Sequence, residues 1–535
     1  MVALSQIRRW RPAELDAAFD ALAKRRDSLV RLDDSLLAAK PPGDWSGTAA
    51  ELAALAHRKL ADRMERIVAG VSAVRRAVGE ASDAIQALHR ALGEADALAA
   101  RYQFRITDEA VVDARTVCSP NDPDARDREH ARLEIISRVD AVRLRAIDID
   151  QDLTAVMVKA GLGGIDDGGA TTLAGAAAAG ASLGGLSTMF PSANASPADN
   201  AAWWDSLSEG ERGRLLMTRP DVLGRLDGLP ATIRDQANRA RIPMERVSIE
   251  DRIRELSRLP GNEERIEKLR GKLSELDQVE KTLAKGDRQL LVLDTGGERL
   301  KAAIATGNID TATHVSVFTP GFTSNVKDSL ASYDDQMDKL RTEAERQSAR
   351  YGDGGSVAMV TWLGYEAPQG SEIAGPNSVA LDNAAQKGAE KLSGFLNGID
   401  ASRKDDPHLT ALGHSYGSLT TGLALQRDTG VDDVVFYGSP GVGTSDVNDI
   451  KVPSGHTYAI EADWDIVADF GRFGSDPSRL DGVRQLSADE AVTPDGQYLD
   501  RVTGHTDYMK PNSTSQYNMA VVIAGLADRR VRAHD

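Results

Sequence analysis

Apolar positions recur through residues 1–160 with the period of a helix. Leu15, Phe19, Leu22, Leu29 and Leu36 fall at spacings of four, three and seven, which lines them along one seam. Pro12 stands where such a helix can begin, and Pro41-Pro42-Gly43 stops it. A second run opens near Thr48 and carries Leu52, Leu55, Met64, Ile67, Val71, Val74, Val78, Ile85, Leu88 and Leu92, with Glu and Arg on the opposite face. Two long helices with a short connection predict an antiparallel hairpin. Residues 102–106 read as a brief extended piece, and residues 124–160 as helix again.

The pattern then changes twice. Residues 161–200 are rich in Gly, Ala and Ser and predict a flexible linker. Residues 201–288 return to helix, as a lead-in or cap. From residue 289 the period shortens to that of strands. Two runs flank Asp294-Thr-Gly296-Gly297, a hairpin signal. Further apolar runs at 314–319, 356–362, 409–412, 434–437 and 457–462 alternate with helical stretches. The expected architecture is therefore an all-α hairpin domain (1–160), a linker (161–200), a helical segment (201–288) and an α/β domain (289–530). In that last domain a mostly parallel sheet carries an antiparallel N-terminal edge.

Composition narrows the function classes. The 535 residues carry a net charge of −17, which argues against nucleic acid and anionic membrane surfaces as partners. The single cysteine, Cys118, excludes an internal disulfide and a cysteine-based zinc site. No apolar stretch is long enough for a transmembrane helix, and residues 1–10 lack a signal-peptide core. The expectation is a cytoplasmic protein, or one exported without a cleaved signal.

Candidate chemistry sits at Gly413-His-Ser415-Tyr-Gly417. A short apolar run precedes it and a helical pattern follows, the context in which G-x-S-x-G forms a nucleophile elbow. The same five-residue pattern occurs at Gly180-Ala-Ser182-Leu-Gly184, but in an Ala/Gly tract with no strand before it, so Ser182 is set aside. A serine hydroxyl needs a base, and the base an orienting acid. After Ser415 the histidines are His456, His505 and His534. His456 precedes a strand and His534 is next to last, whereas His505 lies in a loop entering the final helix. The acid is expected after the strand near 457–462. There Asp465, in Asp465-Ile-Val467, is preferred, with Asp463 as the alternative and Asp469 and Asp476 more remote. Two donors are required at the oxyanion. The amide of Tyr416 is one. Phe322 or Thr323, after the early strand that ends in Thr319-Pro320-Gly321, would supply the other, with Phe322 preferred. Phe322, Trp362, Tyr365, Trp464, Phe470 and Phe473 are candidate walls of an acyl pocket. The 466–500 loop or the 201–285 helices are candidate lids.

Two resemblances add to this. The helical connection Trp45-Ser46-Gly47 is similar to that of the W-x-G hairpin proteins exported by type VII secretion, which implies a helical partner and that export route. The Tyr-to-acid signal expected after the second helix is missing, since Tyr102 is followed four residues later by Ile106. Trp203-Trp204, Leu226-Asp-Gly-Leu-Pro-Ala-Thr-Ile-Arg-Asp-Gln-Ala-Asn238, Val317-Phe-Thr-Pro-Gly321, Thr361-Trp-Leu-Gly-Tyr-Glu-Ala-Pro368 and Gly413-His-Ser-Tyr-Gly417 together resemble an actinobacterial α/β-hydrolase family formerly described as a domain of unknown function. That resemblance implies a helical segment before an α/β-hydrolase sheet and a Ser415–Asp465–His505 triad. The expected activity is a serine esterase acting on a small-molecule or lipid ester with no metal or organic cofactor. The alternative is an exported or partner-binding hairpin protein that carries a hydrolase domain.

Overall fold

The structure, a computed structural model, describes residues 2–115, 125–370, 378–468, 473–493 and 495–533. Cys118, Asp469, Phe470 and His534 lie outside them. The chain divides into two compact units, one of residues 1–195 and 202–214, the other of residues 196–201 and 215–535.

The first unit is built on a 54-residue helix, Thr48–Arg101. Pro12–Val30 packs antiparallel to it, and Asp33–Ala38 follows. Phe19 lies over Gly79, where a Cβ would come within 2.8 Å of the ring. Ser82 Oγ donates to Asp16, and His57 Nε2 donates to the Leu36 carbonyl. The seam thus packs internally at Leu15 and Phe19. Nearer the connection, Leu37 and Leu52 are 63% and 62% exposed. Gly47, at φ +98, starts the long helix beside the half-exposed Trp45. The predicted extended piece is half of a small hairpin, β1 (Phe104–Ile106) and β2 (Val111–Asp113). Ala125–Gly161 adds a further helix, and small residues such as Ala77, Ala81 and Ala84 fill the core with Leu88, Ile135 and Val142.

The Gly/Ala/Ser-rich stretch, expected as a linker, instead holds the helix Leu173–Leu183. Its glycines are the reason. A Cβ on Gly180 or Gly184 would lie 2.1 Å from the carbonyl oxygen of Ala69 or Ala73 in the long helix. Small residues four apart let two helix backbones approach closely, and here they make a packing face. Ser182 is exposed on this helix, bonded to the Ala179 carbonyl.

In the second unit an eight-stranded sheet runs in the order β10-β9-β8-β7-β5-β6-β4-β3. The strands are β3 (Arg288–Asp294), β4 (Lys301–Thr306), β5 (His314–Thr319), β6 (Val357–Leu363), β7 (His408–His414), β8 (Asp433–Tyr437), β9 (Thr457–Ile460) and β10 (Arg484–Leu486). All pairings are parallel from β10 to β6, and β4 is antiparallel to both β6 and β3. The strands β4 to β8 are buried at nearly every position, which is why they read as continuous apolar runs rather than as alternation.

The helix Ala231–Leu256 closes the β3 edge. Asp235 accepts the Leu290 amide, Asn238 donates to the Leu290 carbonyl, Arg239 to Arg288 O and Arg241 to Leu293 O. Edge strands expose unpaired main-chain groups, and here charged and amide side chains satisfy them. Asp235 and Asn238 of the 226–238 segment, with Arg239 and Arg241 just after it, therefore serve the sheet edge. This part of the 201–285 helices is a brace for the sheet edge.

Candidate active site

The elbow stands at the carboxyl end of β7, the central strand. Ser415 has φ 54 and ψ −131, a backbone conformation that non-glycine residues rarely adopt. It stands at the N-cap position of the helix Tyr416–Leu425, with no capping bond from its side chain. Both flanking glycines are sterically required. A Cβ on Gly413 would fall 2.9 Å from Ser418 Cα, and one on Gly417 2.1 Å from Thr319 O.

The loop after β5 lies directly against the elbow. A Cβ on Gly321 would sit 2.7 Å from both Ser415 Cβ and the Tyr416 nitrogen. The Thr361–Pro368 segment braces this loop: Tyr365 donates its hydroxyl proton to Pro320 O at 2.8 Å, and Pro368 O accepts the Thr323 amide at 2.8 Å. Of the two amides considered from sequence, Thr323's is therefore engaged in holding the loop, at φ +64.

Asp465 and His505 are brought together although 40 residues apart: His505 Nδ1 donates to Asp465 Oδ1 at 2.9 Å and lies 3.0 Å from Oδ2. Asp465 is buried. Tyr508 donates to its Oδ2 at 2.7 Å, and the amides of Val467 and Ala468 reach Oδ1. Burial alone would push the Asp465 pKa up. The hydrogen bonds from His505 and Tyr508, His505's charge and the Ala468 amide outweigh it, and the carboxyl is held below its usual range. Gly438, at φ +54, leaves room for the pair, since a Cβ there would lie 2.9 Å from Asp465 Oδ2 and 3.2 Å from His505 Nδ1. Asp463, the alternative acid, points elsewhere. It is exposed and paired with Arg501 at 2.5 Å, while its carbonyl accepts the Gly504 amide beside His505. Asp476 caps the short turn Pro477–Arg479. His456 bonds Asp433 at 2.7 Å, just before β9.

Ser415, Tyr416, Phe322 and His505 line one cavity of about 520 Å3, walled by Thr323, Tyr333, Val379, Ala380, Val467 and Phe473 among others. The aromatic expectations divide. Phe322 and Phe473 line it, whereas Trp362 and Tyr365 are buried and stacked on one another at 5.8 Å, in the core. Trp464 is 85% exposed. Sequence reasoning missed His414, Gly438 and Tyr508. His414 is an interior letter of the elbow pattern and Tyr508 stands three residues past His505, so both were near the signals used.

Residues 295–475 match a family described as alpha/beta hydrolase. Over 245 residues the chain is 36% identical to uncharacterized proteins of Mycobacterium bovis and Mycobacterium tuberculosis, covering 43% of this chain and 90% of each relative. The chain belongs to the alpha/beta hydrolase family. A longer uncharacterized M. tuberculosis protein is 28% identical over 298 residues, 51% of this chain and 44% of its own length. Both species are actinobacteria, in keeping with the resemblance read from the motifs. Two solved structures are also similar to this alpha/beta hydrolase at 14% identity. One is the esterase domain of a Rhodothermus marinus protein (TM-score 0.24, 45% of this chain and 99% of that one). The other is a Pyrobaculum calidifontis esterase (TM-score 0.29, 53% and 98%). The segment matched to the family contains Ser415 and Asp465; His505 lies beyond it.

Proposed function

We propose that this alpha/beta hydrolase is a serine hydrolase of carboxylic esters, with Ser415 as nucleophile, His505 as base and Asp465 as the acid that orients it. The observation that carries this reading is the strained Ser415 sharing one cavity with an imidazole whose Nδ1 is tied to a buried carboxylate. With Nδ1 so engaged, Nε2 is the nitrogen left to take the serine proton. Ser415 Oγ attacks the ester carbonyl carbon as His505 accepts the hydroxyl proton, and Asp465 stabilises the imidazolium. The amides of Tyr416 and Phe322 receive the oxyanion. Collapse expels the alcohol, which takes the proton from His505. Water, deprotonated by His505, then attacks the acyl-enzyme, releases the acid and restores Ser415.

The apolar walls Phe322, Val379, Ala380, Val467 and Phe473 suit an uncharged acyl group of a small-molecule or lipid ester. The test is turnover of p-nitrophenyl esters over a series of acyl lengths by wild type and Ser415→Ala. The reading requires turnover that disappears in the variant, together with fluorophosphonate labelling of wild type alone. Equal activity in both proteins sinks it.

A second reading concerns the first unit. The exposure of Leu37, Leu52 and Leu55 near the hairpin connection favours a helical partner there. Leu37→Asp with Leu52→Asp in the full chain would then abolish a self-association or partner complex seen by light scattering. Identical masses with and without the substitutions would exclude self-association at this patch.

A further inference from the structure

His505 stands in a loop without regular structure, directly after Gly504 at φ +72. Its side chain is held by Asp465. Its main chain is held by a different residue: His414 Nε2 lies 2.9 Å from His505 O, and a carbonyl can only accept, so the imidazole donates. The His414 ring lies 4.9 Å from the His505 ring and is stacked on Tyr437 at 4.8 Å, which restrains its orientation. His414 is also the residue immediately before Ser415, at the end of β7.

We infer that His414 is a positioning residue, which ties the backbone of the base to the elbow that carries the nucleophile. The inference rests on the proposed Ser415–His505 chemistry. The geometry makes one rigid path from Ser415 through the adjacent main chain to His414, across the hydrogen bond to His505 O, and back to the imidazole. Asp465 fixes the rotation of that imidazole, and His414 fixes where the loop carrying it stands. A base misplaced by about an ångström costs a proton-transfer step heavily while leaving substrate binding almost unchanged. Burial and the neighbouring His505 push the His414 pKa down to about 4. At neutral pH it is therefore an uncharged donor and adds no competing charge beside the base. Its ring also borders the cavity, but its one polar bond is spent on the His505 carbonyl.

The experiment measures kcat and KM of the full chain on p-nitrophenyl butyrate for wild type, His414→Phe, His414→Gln and Ser415→Ala. Phenylalanine keeps the ring stacking and loses the donor; glutamine can place an amide N–H near the Nε2 position. His414→Phe is expected to lower kcat about tenfold or more with KM within about twofold, and His414→Gln to recover kcat to within about threefold of wild type. Melting temperatures check that each variant is folded, and if His414→Phe is not, His414→Leu takes its place under the same criterion. Full kcat in the donorless variant, or equal loss in the Phe and Gln variants, overturns the inference. Ser415→Ala separates the two claims: an inactive Ser415→Ala beside an unimpaired His414→Phe removes only the role of His414, whereas an active Ser415→Ala removes the proposed chemistry.

Discussion

Gly321 and Ser415 approach so closely that a single added carbon on the glycine would lie 2.7 Å from the serine's Cβ and equally near the Tyr416 nitrogen. The loop that carries Phe322 and the turn that carries Ser415 are thus in van der Waals contact, with no space for a side chain between them. Gly321→Ala is expected to force them apart and to lower kcat on a soluble ester by about tenfold or more, with a smaller effect on stability. Steady-state kinetics with a parallel thermal melt decide it. An unimpaired alanine variant would show that the Phe322 amide does not serve the oxyanion.

Asp465→Asn keeps the shape of the acid but removes the charge that selects the His505 tautomer. With the proposed triad, activity is expected to fall by about three to four orders of magnitude. Asp463→Asn, which breaks only the exposed pair with Arg501, is expected to stay within about twofold. The reverse ranking would reassign the acid. The Asp465 pKa is lowered by folding, so its hydrogen-bonded carboxylate adds stability that is present above the ordinary value of 3.8 and is lost as pH falls through the lower folded value.

At the opposite end of the sheet, His408 donates from Nε2 to Asp433 at 2.7 Å and from Nδ1 to Ile523 O at 3.0 Å, so both ring nitrogens carry protons. Burial alone would lower its pKa, but the bond and charge of Asp433, with help from Asp432 and the Ile523 carbonyl, raise it above 6.5. His314 and His456 complete the surroundings. A raised folded pKa means stability that is full below pH 6.5 and lost as pH climbs through the folded value. Urea denaturation at pH 6 and pH 9 is expected to show a lower midpoint at the higher pH, with a smaller difference in His408→Gln. A pH dependence unchanged by the substitution would place its origin elsewhere.

Asn238→Ala removes the donor to Leu290 O at the β3 edge and leaves a buried carbonyl short of a partner. The expected cost is about 1–3 kcal/mol, read as a shift in the urea midpoint with an unchanged slope. Unaltered stability would mean that the edge does not depend on this brace.

Gly180→Val sets a side chain where the Ala69 carbonyl oxygen now lies 2.1 Å from a Cβ position. The Leu173–Leu183 helix is expected to detach, exposing its amides to faster hydrogen exchange while ester turnover stays unchanged. In a flexible linker the same substitution would have no effect on exchange.

Much of the fold was legible along the chain. The seam of Leu15 and Phe19 and the long run from Leu52 to Leu92 marked the two hairpin helices, because a helix buries one face at a fixed period. The apolar runs between helical stretches marked the parallel strands, because strands covered on both faces need apolar residues throughout. The 161–200 stretch misled. Glycine and alanine read as flexibility until a second helix stands close enough to need small residues, and composition does not report what stands opposite.

The sequence by itself determined the order of elements and the identity of Ser415, Asp465 and His505 as candidates, since an elbow needs small neighbours and triad order follows strand order. Only the tertiary structure decided that Asp465 rather than Asp463 faces His505, that Thr323's amide is already spent on Pro368 O, and that Gly438, Tyr508 and His414 complete the site. The physical reason is that periodicity and local turn chemistry act over a few residues. Which of two carboxylates meets an imidazole 40 residues away is settled by the packing of strands and loops around them.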